Sequence, residues 1–195
     1  MIRAVIFDAD GMVVKGVRFS DRLARDYGIP TEKTADFFKN VFPDTVLGKT
    51  DLKEVLLPYM KEWGWKGTLD ELLHFWFAGE HSLDERFVEP IKKLKHNGVR
   101  CYLATNQEKY RLEYFAKDLG LAKLFDGIIS SNIVGFKKPQ REYFEYILKV
   151  TGCGPEEILF WDDRPVNIEQ AFEFGFHAHL YENFEKFSDI ISHLH

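Results

Sequence analysis

Five short apolar runs, each ended by polar residues, constrain the fold of this chain more than any other feature of the sequence. Runs of four to six apolar residues without alternation are typical of strands that are buried on both faces of a parallel sheet. The runs are residues 2–7, 100–104, 127–131, 158–161 and 177–181.

Segments with helical periodicity lie between the later runs, and most of them end at a glycine that can adopt a left-handed cap. These segments are residues 87–96, 106–119, 139–152 and 165–175, the third with Pro139 and the fourth with Pro165 in its first turn. Strand and helix therefore alternate from residue 87 onward. This alternation predicts an α/β fold, a Rossmann-like parallel sheet with helices on both faces.

The region from residue 15 to residue 85 interrupts this alternation, because it contains no convincing strand run. It has four helix-like pieces separated by glycine and proline, at residues 20–27, 31–42, 51–63 and 69–79. We therefore predict two domains: an α/β core formed by residues 1–14 and 86–195, and an inserted α-helical subdomain formed by residues 15–85.

Composition narrows the class of protein. With 26 basic and 31 acidic residues the net charge is −5, which gives no electrostatic footprint for nucleic acid. No apolar run approaches the ~20 residues of a membrane span. The two cysteines cannot form a disulfide framework and no signal peptide is evident, so we expect a cytoplasmic protein. The 15% of aromatic residues is best explained by a core filled with rings.

Polar residues follow four of the apolar runs, directly in three cases and after a short segment in the other. In a parallel sheet, ligands bind beyond the carboxyl ends of the strands, so these residues are expected to share one rim. They are Asp8 and Asp10 after the first run, Thr105 and Asn106 after the second, Lys137 and Lys138 beyond the third, and Asp162 and Asp163 after the fourth.

Four carboxylates at one rim require a counter-charge. Two of them about 4 Å apart repel by roughly 4 kcal/mol at an effective dielectric constant near 20. The candidate ligands are all oxygen atoms, which favours Mg²⁺ over zinc or copper. A carboxylate-bound Mg²⁺ next to a threonine and a lysine is suited to a phosphoryl group. The sequence therefore predicts a Mg²⁺ site for a phosphorylated substrate.

The same residues resemble the four motifs of the haloacid dehalogenase-like (HAD) hydrolase superfamily, in the family's order. The first motif resembles Ile-Phe-Asp-Ala-Asp-Gly at residues 6–11, and the second Leu-Ala-Thr-Asn at residues 103–106. The third resembles Lys138-Pro139, and the fourth Asp162-Asp163 followed by Asn167. A helical insert between the first two motifs is similar to that of the C1-capped branch, in which a cap closes over small substrates.

The resemblance implies a role for each residue. Asp8 matches the nucleophile that forms an aspartyl-phosphate, and Asp10 matches the general acid and base. Thr105, the backbone N–H of Asn106 and Lys138 would bind the phosphoryl group; Lys137 is the alternative motif lysine. Asp8, the backbone carbonyl of Asp10, Asp162 and Asp163 would bind Mg²⁺, and the sequence does not decide which of the tandem aspartates binds directly.

Lys49, in the Leu-Gly-Lys-Thr segment at residues 47–50, permits two interpretations. It is either a substrate contact on the face of the cap or a solvated lysine before a helix that begins with Thr50 as its N-cap. The segment is not a P-loop, because Pro43 stands where that motif needs a glycine.

We predict from these observations a Mg²⁺-dependent phosphatase that hydrolyses a small soluble phosphomonoester through an aspartyl-phosphate, a sugar phosphate being one candidate. The alternatives are a phosphosugar mutase of the same family and a non-catalytic regulatory protein on this fold. The expected partner is a small phosphorylated metabolite, with neither nucleic acid nor membrane; the oligomeric state cannot be deduced from the sequence.

Overall fold

The computed structural model describes residues 1–78 and 81–193. The strands, in chain order, are β1 (Ala4–Phe7), β2 (Val14–Lys15), β3 (Ser82–Leu83), β4 (Arg100–Thr105), β5 (Gly127–Ser130), β6 (Ile158–Asp162) and β7 (His177–Leu180). Five of them form one parallel sheet in the order β5-β4-β1-β6-β7, and the short β2 and β3 pair with each other in antiparallel orientation. The predicted α/β fold with a parallel sheet is confirmed.

Twelve helices surround and extend this sheet in the part of the chain that is described. Those before β3 are α1 (Phe19–Tyr27), α2 (Thr31–Asp36), α3 (Phe42–Val46), α4 (Leu52–Trp63) and α5 (Leu69–Ala78). The later ones are α6 (Val88–His96), α7 (Lys109–Lys117), α8 (Leu121–Leu124), α9 (Ser131–Val134), α10 (Arg141–Thr151), α11 (Pro165–Glu173) and α12 (Phe184–Ser192). None of these helices has the length and apolar character that a membrane crossing requires.

Strand β1 is the centre of the core, because it pairs with β4 on one side and β6 on the other. All four of its side chains are fully buried. Val5 and Phe7 point to the face covered by α6, α7 and α12, while Ala4 and Ile6 point to the face covered by α10 and α11. Burial of each large side chain stabilises the fold by about 1.5–3 kcal/mol. This double burial fixes the end of β1, and with it the position of Asp8.

The helices α1 to α5 pack around a separate hydrophobic cluster that is rich in rings. Phe37 contacts Trp63 at a ring-centroid distance of 5.4 Å, and Phe19 stacks on Trp76 at 4.5 Å. Tyr110 and Tyr114 of α7 pack against this cluster from the core side. The high aromatic content of the sequence is thus largely explained by packing.

Three local expectations were wrong. The single helix expected over residues 31–42 divides into α2, a π-helical turn at Phe37–Val41 and α3. Residues 15–85, expected to contain no strand, include Lys15 of β2 and all of β3. Each of these strands is two residues long, and they pair with each other. The helix expected from Pro139 begins at Arg141. Gly79, the expected end of the fourth insert helix, lies outside the described residues.

Candidate active site

The carboxyl ends of three adjacent strands bring the predicted residues together. Asp8 follows β1 directly, and its backbone N–H donates to the carbonyl of Trp161 at 2.9 Å, which continues the strand pairing by one residue. Thr105 is the last residue of β4 and Asp162 the last residue of β6, and both are buried. Because β4, β1 and β6 are parallel neighbours, these side chains share one rim.

Lys138 joins two of the carboxylates at this rim. Its Nζ lies 2.6 Å from Asp8 Oδ1, 2.6 Å from Asp162 Oδ2 and 2.8 Å from the carbonyl oxygen of Ala104. Burial acts to lower the pKa of Lys138, but the two carboxylates outweigh it and the pKa is raised. The lysine is therefore charged, and it neutralises part of the acidic cluster.

The side chain of Asn106 fixes the backbone of that lysine. Its Oδ1 accepts from the N–H of Lys138 and its Nδ2 donates to the carbonyl of Lys138, both at 2.9 Å. The backbone N–H of Lys137 instead donates to Gln140 Oε1, and the Lys137 side chain takes no part in the acidic cluster. Of the two candidate lysines, the structure places Lys138 at the site.

The tandem aspartates have different surroundings. Asp162 is fully buried, and its Oδ1 accepts from the N–H of Arg164 at 2.9 Å and from Asn167 Nδ2 at 2.8 Å, while Oδ2 faces Lys138. Asp163 is exposed, and its carboxylate lies against Gly11. A Cβ at position 11 would overlap that carboxylate, and Gly11 has a φ of 82°, so this position requires glycine.

Asp8, Asp162 and Asp163 form the candidate metal centre. Each offers one carboxylate oxygen, and the three oxygens lie within 4.8 Å of one another. Burial raises the pKa of Asp8 to about 7, with Lys138 opposing and Asp162 reinforcing the change. Burial and the charge of Asp162 also raise the pKa of Asp163. Such a concentration of hard oxygen donors and unbalanced negative charge fits a divalent cation such as Mg²⁺.

Asp10 is held by two residues that the motif analysis did not identify, Arg111 and Gln107. Arg111 Nη2 and Nη1 donate to Asp10 Oδ1 and Oδ2 at 2.6 and 2.7 Å, and Gln107 Nε2 donates to Oδ2 at 3.0 Å. Burial acts to raise the pKa of Asp10, but the charge and hydrogen bonds of Arg111 outweigh it and lower that pKa. In this arrangement Asp10 is ionised, as a general base is.

Arg111 is itself positioned by the start of α7. Glu108 is the N-cap of this helix, and its carboxylate accepts from the backbone N–H groups of Tyr110, at 2.9 Å, and Arg111. Burial raises the pKa of Glu108 to about 6. The sequence shows only an arginine in the first turn of the helix that follows the second motif. Its pairing with Asp10 depends on the rotation of α7, which the sequence does not give.

A cavity of about 360 Å³ opens beside Asp10, between the core and the helices of the insert. Its lining includes half-buried or buried rings, two guanidinium groups and two side-chain amides. These residues include Phe19, Phe38, Phe42, Trp76, Arg18, Arg111, Asn106, Gln107, Ser20 and His81. Burial, together with the nearby charge of Arg111, lowers the pKa of His81 to about 4, so its imidazole is neutral at pH 7.

The structure does not bring Lys49 to this cavity. The Lys49 ammonium lies 3.3 Å from Asp44 Oδ1 on the surface, and the side chain is 61% exposed. Lys49 lines a different depression, at the junction of the insert with α7 and α9. The helix that follows has Asp51, not Thr50, as its N-cap, because Asp51 Oδ1 accepts from the N–H of Lys53 at 2.8 Å.

Comparison with known proteins agrees with this geometry. A family model described as haloacid dehalogenase-like hydrolase matches residues 2–175. The chain is 25% identical over 195 residues to a D-ribitol-5-phosphate phosphatase of Bacteroides thetaiotaomicron, covering 94% of this chain and 93% of that protein. It is 32% identical over 92 residues to a sesquiterpene phosphatase of Aspergillus oryzae, covering 47% of each.

Solved structures show the same fold. A HAD family enzyme from Bacteroides thetaiotaomicron superposes with a TM-score of 0.85 at 18% identity, over 97% of this chain and 98% of that one. The same enzyme, as an aspartate-to-alanine mutant in complex with magnesium and inorganic phosphate, gives a TM-score of 0.83 at 17% identity, over 97% and 99%. The chain spans half or less of three of the curated relatives it matches, 47%, 19% and 33% of their lengths.

Proposed function

Because the chain belongs to the haloacid dehalogenase-like hydrolase family, we propose that it is a Mg²⁺-dependent phosphatase that hydrolyses a small phosphomonoester. One observation carries this proposal: Asp8 at the end of the central strand, bonded to a buried lysine and grouped with two further carboxylates. The name of one relative supports it, since D-ribitol-5-phosphate phosphatase denotes a hydrolase of a phosphomonoester.

Asp8 is the proposed nucleophile. Its Oδ1 accepts from the N–H of Ala9 at 2.8 Å and from Lys138 Nζ, so the carboxylate is held in one orientation. An oxygen of Asp8 attacks phosphorus and forms an aspartyl-phosphate while the bond from phosphorus to the leaving oxygen breaks. Water then attacks the same phosphorus, which releases phosphate and restores the carboxylate.

Asp10 is the proposed acid and base for these two steps. It would protonate the leaving oxygen in the first step and accept a proton from the attacking water in the second. The bonds from Arg111 suit the second role directly, because they stabilise the ionised carboxylate. The first role requires a proton on Asp10, and this arrangement disfavours it until those bonds loosen.

The residues that would hold Mg²⁺ are Asp8, Asp163 and the backbone carbonyl of Asp10, with Asp162 beside them. We assign direct binding to Asp163 rather than Asp162, because the oxygens of Asp162 already accept three hydrogen bonds from the protein. When bound, Mg²⁺ neutralises charge on the phosphoryl group and the carboxylates. Thr105, the backbone N–H of Asn106 and Lys138 would bind the phosphoryl oxygens.

The insert is the proposed cap. Residues 15–85 would cover the rim formed by the core, residues 1–14 and 86–195, and the β2–β3 ribbon lies where the two parts join. Cap closure would exclude water from the aspartyl-phosphate until hydrolysis. The sequence gives sugar phosphates as one candidate class of substrate. The residues that line the cavity beside Asp10 indicate whether a sugar would fit there.

The decisive experiment measures phosphate release from p-nitrophenyl phosphate and several dozen phosphorylated metabolites, with Mg²⁺ and with EDTA. We expect release that disappears in EDTA and returns with Mg²⁺. Activity that persists in EDTA would contradict the metal assignment. Isomer formation from a phosphosugar without phosphate release would indicate the mutase alternative, and a negative result on the whole panel would overturn the phosphatase proposal.

A further inference from the structure

The wall of the cavity beside Asp10 is a connected set of rings. Trp76 stacks on Phe19 and contacts Phe38 and Phe42, each at a ring-centroid distance of 5.4 Å, and Phe38 contacts Phe42 at 5.3 Å. Phe38 and Phe42 are only partly buried, so each has a face that other side chains leave uncovered. This wall offers an apolar surface for a flat group.

The charge of the cavity comes from two guanidinium groups and one carboxylate. Arg111 and Asp10 are paired with each other, so they balance. Arg18, at the N-cap of α1, also lines the cavity, and it has no ion pair or side-chain hydrogen bond within residues 1–78 and 81–193. Arg18 also borders a neighbouring depression that Asp21 and Glu32 line, and no ion pair joins it to either carboxylate. The cavity therefore carries one positive charge, on the side of the insert, that has no ion pair among the described residues.

Acceptors for a sugar are few in this cavity. Among the described lining residues Asp10 is the one carboxylate, and both of its oxygens already accept from Arg111 and Gln107. The Asn106 amide is engaged with the backbone of Lys138. A polyol brings several hydroxyl donors that need such acceptors, and burying them without partners is costly. Among the described lining residues, the Gln107 Oε1 atom and the neutral imidazole of His81 can still accept, which is fewer acceptors than a polyol with several hydroxyl donors requires. The lining thus favours an aryl leaving group over a free sugar.

We propose that this cavity binds the leaving group of an aryl phosphomonoester that carries a negatively charged substituent, and that Arg18 recognises that charge. This rests on the proposed phosphatase function. The ring wall contacts the flat part of the substrate, the rim at Asp8 and Lys138 takes the phosphoryl group, and Arg18 meets the acidic substituent at the far side. Arg18 is therefore a specificity-determining residue.

The test compares three substrates at saturating Mg²⁺: 4-(carboxymethyl)phenyl phosphate, its carboxamide analogue and glycerol 3-phosphate. The first two share a ring and nearly the same leaving-group basicity, and they differ in charge. For the wild-type protein we expect kcat/KM to be about tenfold higher for the acid than for the amide, and lowest for glycerol 3-phosphate. The preference for the acid should fall as salt is added, because Arg18 is exposed.

Two variants that each remove one positive charge test whether the preference for the acid substrate depends on Arg18. Arg18→Gln should lower kcat/KM for the acid about tenfold, mainly through KM, and change the amide by less than threefold; Arg18→Lys should restore part of the preference. Lys33→Gln removes a charge from an exposed residue of α2 outside the cavity and should leave the preference intact. Equal behaviour of Arg18→Gln and Lys33→Gln would overturn the role of Arg18.

The ring wall is tested separately with Phe38→Leu, whose folding is checked by circular dichroism. It should lower kcat/KM for both aryl substrates relative to glycerol 3-phosphate. If glycerol 3-phosphate is hydrolysed better than either aryl substrate, the substrate class is wrong while the phosphatase proposal stands. If no phosphomonoester is hydrolysed, the proposed function itself fails, so the two failures are distinguishable.

Discussion

The rim of the sheet and the cavity beside Asp10 lie side by side, yet they are built differently. At the rim, Lys138 bonds to both Asp8 and Asp162 and to the backbone carbonyl of Ala104 in β4. In the cavity, rings form the wall and Arg18 has no bonded partner among the described residues. In the proposed function the rim would perform the chemical step, and the cavity would select the group that leaves. Changes at the rim should then affect every substrate, whereas changes in the cavity should raise activity toward some substrates relative to others.

Asp8→Asn gives the largest expected effect and tests the rim side of this contrast. No aspartyl-phosphate can form without the carboxylate, so activity should fall at least about 10⁴-fold with every substrate, whatever its leaving group. Asp70→Asn makes the same chemical change at an exposed residue of α5 and should retain full activity. Steady-state assays across the substrate panel measure both. Appreciable turnover of any one substrate by Asp8→Asn would remove Asp8 from the role of nucleophile.

Asp10→Asn comes next, because its effect should depend on the leaving group. An alkyl phosphate should lose ~10²- to 10⁴-fold, the usual contribution of general acid catalysis. p-Nitrophenolate leaves without a proton, so its first step should suffer less, and phosphoenzyme should accumulate after a burst of nitrophenol. Rapid-quench experiments with ³²P-labelled substrate would detect acid-stable, hydroxylamine-labile label. An equal loss for both substrates without trapped label would assign Asp10 a different role.

Most of the rim could be predicted from sequence because Asp8, Thr105 and Asp162 each directly follow an apolar run, whereas Lys138 was placed there by the motif it resembles. Once the runs are strands of a parallel sheet, Asp8, Thr105 and Asp162 must lie at one edge. Their roles were implied by the family resemblance, and they stay predictions until the variants are measured. The preference for Lys138 over Lys137 agrees with the position of its ammonium group between two carboxylates.

The bonds around Asp10 could not be predicted in this way. Arg111 and Gln107 lie beyond β4, on and before α7, and their approach to Asp10 depends on how that helix is rotated on the sheet. Periodicity identifies a helix without giving its rotation relative to a distant residue. The π-helical turn at Phe37–Val41 is a similar case, because Phe37 is held by contacts with Trp63 and Trp76 from other helices.

Asp84→Asn tests the junction between the two regions, with a moderate effect on stability. Asp84 is buried directly after β3, and its Oδ2 lies 2.7 Å from both Lys15 Nζ and Arg86 Nη2. The hydrogen bonds from Arg86, together with Lys15, hold the pKa of Asp84 well below its usual range. Loss of the charge should lower the free energy of unfolding by about 1–2 kcal/mol at pH 7, since both cations are half exposed.

The pH dependence of this difference follows from the sign of the shift. A lowered folded-state pKa contributes stability that is fully present above the unfolded-state value, about 3.9, and is lost as the pH falls below it toward the folded-state value. Urea denaturation of both proteins at pH 7 and pH 3 should therefore show the gap between wild type and Asp84→Asn narrowing at pH 3. A gap of equal size at both values would mean that the asparagine disturbs packing rather than charge.

Lys49→Ala has the smallest expected effect. It compares a residue on the surface of the insert with Arg18, which lines the cavity. The sequence left Lys49 either as a substrate contact or as a solvated lysine, and the structure pairs it with Asp44, with the two side chains 61% and 52% exposed. An exposed pair of this kind stabilises a protein by at most about 1 kcal/mol. We therefore expect KM for p-nitrophenyl phosphate and KM for the preferred substrate each to change by less than about twofold. Arg18→Gln should instead raise KM for the preferred, acidic substrate more than KM for p-nitrophenyl phosphate. A selective rise in KM for the preferred substrate in Lys49→Ala would contradict this expectation. It would mean that the insert closes further than in this structure and carries Lys49 to the rim. Substrate recognition would then involve the depression beside α7 and α9 as well as the cavity beside Asp10.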